Sequence, residues 1–304
     1  MAGKQSMSEV VHQGPEAQAG QAAMVEGKSA SQARPVSGAE REQAGVPKSV
    51  WREYFESIIH VAIMYLFFTT FIALSVGVPT SSMENTILVG DKFLINRFIF
   101  APGSEPFFLP KRAIRRGDII VFKYPGDRDH PLRDRMNGIT PYKDYFIKRV
   151  IGLPGDRIEV RGASVLVNGQ ALPEHRVSAE QGKDEKSPLD INSIPPRKSN
   201  EPYTVYYSSN TLAARADQPD QPSELMRYGV GQPFQIPEGY YFMMGDNRDN
   251  SADSRVWGLV SRDLVIGRAL FIFWSYNASA ASNGNFLVDF YQNSRWDRIG
   301  MMIK

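Results

Sequence analysis

The stretch DYFIKRVIGLPGDRIEV, Asp144 to Val160, decides the fold. Its runs Asp144–Ile151 and Arg157–Val160 are rich in β-branched and aromatic residues, which read as strands. The same reading extends upstream to DIIVFKY (Asp118–Tyr124) and downstream to GYYFMMG (Gly239–Gly245) and LVIGRALFIFWS (Leu264–Ser275). Between them SVLVNGQAL carries Asn168-Gly169, the strongest short signal for a hairpin. No convincing soluble helix is read in this part of the chain, and no internal repeat. A Pro-, Ser- and Asn-rich stretch from 181 to 235 holds only short apolar patches such as YTVYY, and is expected to form an inserted, loop-rich β subdomain.

Upstream of the strands the pattern changes. Residues 57–78 hold the run IIHVAIMYLFFTTFIALSVGV, with no Asp, Glu, Lys or Arg from Ile58 to Val78. About 20 apolar residues are what a helix needs to cross a hydrocarbon core, so a single transmembrane helix is expected; a buried core helix is the alternative. Arg41, Lys48 and Arg52 precede the run and Lys92 and Arg97 follow it, a weak positive-inside bias for a cytoplasmic N-terminus. Residues 1–48 are rich in Ala, Gly, Gln, Ser and Glu, a composition that cannot offset the entropy of ordering, and are expected to form a disordered tail. Residues 276–304 form a C-terminal extension beyond the last strand.

Composition removes several classes of chemistry. There is no cysteine, so disulfides, thiolate metal sites and Cys nucleophiles are excluded. Only four histidines occur, His12, His60, His130 and His175, scattered and without an HExxH pattern, so no metal site is expected and a Ser-His-Asp triad has poor candidates. A net charge of +2 argues against a nucleic-acid partner, which asks for a concentrated basic stripe. No cofactor is implied.

Three clusters could carry chemistry. Side chains alternate across a strand, so Phe146, Lys148 and Val150 share a face. An ammonium between apolar neighbours is desolvated, its pKa falls, and a neutral lysine can act as a general base. Equally, Lys148 could snorkel to water from an edge strand. VPTSSMENT, Val78–Thr86, follows the apolar run and offers hydroxyls at a membrane surface, or a polar turn after a helix. GDNRDNSADSRVWG, Gly245–Gly258, is dense in hydrogen-bonding groups but lacks the spacing of a calcium loop, and could be a structural turn.

In this order, after an apolar span, these clusters resemble the sequence boxes of bacterial type I signal peptidases. VPTSSMENTILVGD resembles the nucleophile box, RRGDIIVFKYP the next strand box, YFIKRVIGLPGDRIEV the lysine box and GDNRDNSADSRVWGLV the last; the resemblance covers most of Trp51 to Ser275. It implies Ser82 as nucleophile, Lys148 as general base and Ser251 as the serine that orients the lysine. It implies an oxyanion hole from the Ser82 N–H and the Thr80 hydroxyl. Val78, Met83, Ile87, Phe146 and Ile147 match positions lining shallow pockets for small residues at −1 and −3 of a cleavage site. Asp246, Arg248, Asp253 and Arg255 match residues that scaffold the last box. Two positions depart from the pattern. Asn85 stands where the family usually has Pro in S-M-x-P-T-L, which removes a fixed φ and leaves the loop less rigid. Ser81 stands where Gly is common. A single span also differs from relatives with two.

The expectation is therefore a mainly β protein: an N-terminal transmembrane helix at 57–78, then an antiparallel β-sheet catalytic domain over 79–275 with the insert at 181–235. Its implied activity is a serine endopeptidase that removes signal peptides from exported preproteins with A-x-A-like sites. Membrane lipid and the export translocon are the further partners implied. The implied place is the bacterial inner membrane, single-pass, with the catalytic domain outside the cytoplasm. Phe98–Pro110 exposes aromatics that could dip into lipid or pack as an ordinary loop. The rival readings are a self-cleaving Ser-Lys protease of the SOS repressor type and a non-enzymatic membrane-anchored β domain.

Overall fold

A computed structural model describes residues 50–67, 73–100, 111–182, 187–213, 226–277, 279–280 and 282–304. The tail at 1–48 and most of the aromatic loop at 98–110 lie outside the described residues. Among the described residues fourteen strands form in chain order. They are β1 (Ala73–Gly77), β2 (Asp91–Asn96), β3 (Ile119–Lys123), β4 (Tyr145–Gly152), β5 (Arg157–Arg161), β6 (Ser164–Val167), β7 (Gln170–Ala171), β8 (His175–Glu180), β9 (Asp190–Ser193), β10 (Thr204–Tyr207), β11 (Phe234–Gln235), β12 (Tyr240–Met244), β13 (Val260–Ser261) and β14 (Val265–Ser275). The helices are α1 (Val50–Phe67), α2 (Pro131–Met136), α3 (Ser209–Ala213), α4 (Ser254–Trp257) and α5 (Phe286–Asn293).

The main sheet has seven strands in the order β1-β2-β14-β3-β4-β12-β13, and every pairing in it is antiparallel. Its central strands are apolar on both faces. Ile119 and Val121 pack with Phe93, Ile95 and Ile147 on one side, while Ile120 and Phe122 pack with Val150, Met243 and Trp257 on the other. A four-stranded sheet, β11-β5-β6-β7, and a three-stranded sheet, β10-β8-β9, cover a third cluster that includes Ile151, Ile158, Val165, Val205 and Phe242. The Asn168-Gly169 hairpin turn forms between β6 and β7 with both residues at positive φ, 53° and 81°, as a two-residue primed turn requires. The mainly β expectation is met, and the insert supplies β9, β10, α3 and β11 among its described residues.

The expected helix at 57–78 needs correction. Helix α1 begins earlier, at Val50, and its described part ends at Phe67, while Ala73–Gly77 is a strand paired in register with β2. Leu74 and Val76 are half-buried against the core and Ser75 and Gly77 are exposed, a period of two that hydropathy alone does not separate from a continuing helix. Among the described residues no helix is long and apolar enough to cross a membrane. Helix α1 nevertheless exposes an apolar stripe of Trp51, Phe55, Ile59, Ile63 and Phe67.

The C-terminal extension is bound into the sheet domain. Ile303 is buried in the core beside β14, and the Ile303 and Ile272 N–H groups donate to Leu270 and Met301 carbonyls at 2.8 and 3.0 Å. Arg298 meets the buried Asp91 carboxylate at 2.7 Å.

Candidate active site

The turn that carries Ser82 is a single 3-10 turn, Ser81–Met83, set between β1 and β2. It forms because Val78, Met83 and Ile87 are driven into the core while Pro79 and Thr80 stay exposed. Thr80 enters the turn in extended conformation and makes no capping bond through its side chain. The first N–H groups of such a turn have no partner inside it, which leaves them free to meet an oxygen in the cleft.

Sixty-six positions along the chain, β4 brings Lys148 to this turn. Lys148 Nζ donates to Ser82 Oγ at 2.6 Å, and the two residues are 3% and 7% exposed. Desolvation is the dominant influence on the lysine and lowers its pKa to about 8; Asp253 and Asp246 oppose the fall and Arg255 assists it. The neighbour Arg149 faces the other way, as alternation along a strand dictates. Its guanidinium binds both Asp246 oxygens at 2.7 Å and stacks over the Tyr203 ring at 4.2 Å.

The Gly245–Gly258 loop packs against the Ser81–Met83 turn. Gly245 approaches the Ser82 carbonyl and Ser251 so closely that a Cβ there would overlap both. The four residues expected to scaffold this loop all sit in buried ion pairs. Asp246 pairs with Arg149, Asp253 with Arg255 at 2.8 Å, and Arg248 with Glu174 of the β7–β8 connection. Burial works against the Asp253 carboxylate, but Arg255 outweighs it and holds the group below its ordinary value. Ser251 is also buried. Its hydroxyl lies close enough to Asp253 to help hold that carboxylate, yet among the described residues Oγ makes no hydrogen bond of good geometry, to Lys148 or to any other group.

Beside the Lys148–Ser82 contact runs a cleft lined by Val76, Gly77, Pro79, Thr80, Ser81 and Ser82 on one wall and by Tyr145, Phe146, Ile147 and Lys148 on the other, with Val121, Ile139, Asn250 and Ala252 completing the lining. Of the five residues expected to line pockets, Phe146 and Ile147 do so. Val78, Met83 and Ile87 lie behind the wall, at 5%, 0% and 0% exposure, packed with Ile119, Val121 and Ile147. Residues 76, 77, 79, 139, 145, 250 and 252 were not singled out by the sequence; the exposed positions of β1 carried a signal only once its strand character was recognised.

Both walls present strand edges. In the main sheet β1 is an edge strand. On β4, β12 pairs with Arg149, Val150 and Gly152 but not with Tyr145–Ile147, whose registered partners lie on β3 alone.

The departure at Asn85 has a structural counterpart. Glu84 lies at φ −58°, ψ 149° and Asn85 at φ 64°, and the Thr86 N–H donates to the Met83 carbonyl at 3.1 Å. These angles make Met83–Thr86 a type II turn whose third position needs positive φ. Asparagine tolerates it and proline, fixed near −65°, cannot adopt it. The turn is thus closed by a hydrogen bond rather than loosened.

The model of the family described as signal peptidase, peptidase S26, matches residues 51–274. Signal peptidase I of Aquifex aeolicus is 33% identical over 244 residues, covering 74% of this chain and 84% of that protein. Signal peptidase I of Pseudomonas aeruginosa is 30% identical over 247 residues, covering 76% and 75%. A probable signal peptidase I-2 of Synechocystis is 29% identical over 234 residues, covering 77% and 78%.

Proposed function

The chain belongs to the signal peptidase family, peptidase S26, and from that membership we propose that it is a membrane-bound serine endopeptidase that removes signal peptides from exported preproteins. The observation that carries the reading is the buried contact of Lys148 Nζ with Ser82 Oγ at 2.6 Å. Deprotonated Lys148 accepts the Ser82 proton as Oγ attacks the scissile carbonyl. The Ser82 N–H and the Thr80 hydroxyl, both at the cleft, would receive the negative charge that develops on the carbonyl oxygen. Lysine then returns the proton to the leaving amine, and water activated by the same lysine hydrolyses the ester.

An extended peptide suits this cleft because β1 and the first half of β4 both offer unpaired backbone groups to an added strand. Phe146 and Ile147 in the cleft lining leave room for a small side chain at the scissile residue, in keeping with A-x-A-like sites. Anchorage through the apolar helix α1, whose described part ends at Phe67, with the catalytic domain outside the cytoplasm, is part of the same proposal. It is supported by the exposed apolar surface of α1, which water does not favour.

The test is direct. Purified full-length protein in detergent is incubated with a preprotein carrying an A-x-A site, beside a Ser82→Ala variant. Cleavage after the second Ala by the wild type and none by the variant is expected. Equal cleavage by both, or cleavage of a preprotein with a bulky −1 residue at an undiminished rate, would overturn the reading.

A further inference from the structure

We propose that Ser81 and Asn250 are positioning residues, which through one hydrogen bond fix the nucleophile turn against Lys148; this rests on the Ser82/Lys148 reading above. The turn Ser81–Met83 and strand β4 are separate pieces of chain. Among the described residues, the hydrogen bond between Lys148 and Ser82 is the only one that joins them. Something else must therefore hold the turn at the right distance while substrate and product exchange.

The Gly245–Gly258 loop does this. Its position relative to β4 is set by the Met244–Arg149 pairing and by the Arg149–Asp246 ion pair. From there it grips the turn at three points. The Asn247 N–H donates to the Ser82 carbonyl at 3.2 Å, Asn247 Nδ2 to the Ser81 carbonyl at 3.3 Å, and Asn250 Nδ2 to Ser81 Oγ at 3.0 Å. The third is the shortest, and the only one made to a side chain of the turn. Asn250 Nδ2 also donates to Gln181 Oε1 at 2.9 Å, so both hydrogens of its amide are engaged and its plane is fixed. The link runs from the start of the inserted segment, through the cleft lining, to the residue next to the nucleophile. Ser81 is 3% exposed while Asn250 is exposed, so the bond anchors a buried hydroxyl from the surface. With glycine at this position, as the family pattern commonly has, the bond could not form.

A small displacement of a nucleophile from its base is felt in the chemical step and not in substrate binding. Steady-state cleavage of the A-x-A preprotein by the full chain in detergent is compared for wild type, Ser81→Ala, Asn250→Ala and the double variant. Each single change is expected to lower kcat roughly three- to tenfold, the worth of one hydrogen bond, with KM within about twofold of wild type. The double variant is expected to be no slower than the slower single variant, because both changes remove the same bond. Ser81→Thr, which keeps the hydroxyl, is expected to restore kcat. Asn250→Leu, which keeps the approximate size and removes both donor and acceptor, repeats the test should the alanine variants fold poorly. Wild-type kcat in Ser81→Ala, single effects that multiply in the double variant, or a loss that follows only the folded fraction would overturn the positioning role. Failure of the wild type itself to cut preprotein would instead overturn the function on which it rests.

Discussion

Arg149 and Asp246 form a two-pronged ion pair directly behind the lysine, with both oxygens at 2.7 Å and side chains 1% and 0% exposed. The pair removes the free positive charge from the residue next to Lys148 and ties β4 to the loop that holds the nucleophile turn. Thr86 Oγ1 also donates to Asp246 at 2.7 Å, so a single carboxylate joins β4 to the turn-bearing segment. Asp246→Ala would leave a buried guanidinium without its counter-charge, which costs about 3–5 kcal/mol. Chemical denaturation of the full chain should show a loss of that order, with cleavage lost in parallel. An unchanged midpoint would mean that the pair does not hold the site.

Asn85 supplies a second expectation. Its φ of 64° closes the type II turn that follows Ser82. Asn85→Gly satisfies the same angle and should cleave at close to the wild-type rate. Asn85→Pro restores the more common family residue but cannot take that φ, and should lower kcat/KM by about tenfold or more as the turn shifts. If the proline variant is as active as wild type, the turn adopts another conformation in the working protein.

Much of this was legible in the sequence, for reasons that differ by residue. Strands β3, β4, β5, β12 and β14 announce themselves because β-branched and aromatic residues dominate them, and Asn168-Gly169 has few alternatives to a tight hairpin turn. The desolvation of Lys148 followed from Phe146 and Val150 on its face. The strand at Ala73–Gly77 was hidden, since five apolar and small residues at the end of a longer apolar run look like its continuation. The turn at Asn85 was read as slack because a missing proline is visible in a sequence and a closing hydrogen bond is not. Arg248 and Glu174 lie 74 positions apart, and Arg298 and Asp91 lie 207 apart. No local pattern connects such partners, nor shows that Val78, Met83 and Ile87 would turn behind the cleft wall.

The lysine's environment also bears on stability. Its folded pKa, about 8, lies below the unfolded value of 10.5. Below about pH 8 both states carry the proton and the cost of burying the ammonium is fully present. Between about 8 and 10.5 the unfolded state binds more protons, so stability rises with pH. Above that window both states are neutral and the cost is gone. Lys148→Met should therefore be more stable than wild type at pH 7, by up to roughly 3 kcal/mol, with the advantage shrinking toward pH 10.5. Denaturation at pH 7 and at pH 10.5 checks it; an advantage that grew with pH would carry the wrong sign.

The central claim is that Lys148 is the general base for Ser82, and the pH dependence of kcat/KM tests it most directly. Only the neutral amine can accept the Ser82 proton, so with a folded pKa of about 8 the rate should climb about tenfold per unit up to that pH and level off above it. Lys148→Arg, whose guanidinium stays charged, should show no rise and no measurable cleavage at any pH tested. A wild-type profile that is flat from pH 6 to 9 while chemistry limits the rate, or an arginine variant that cuts preprotein at a comparable rate, would contradict the account.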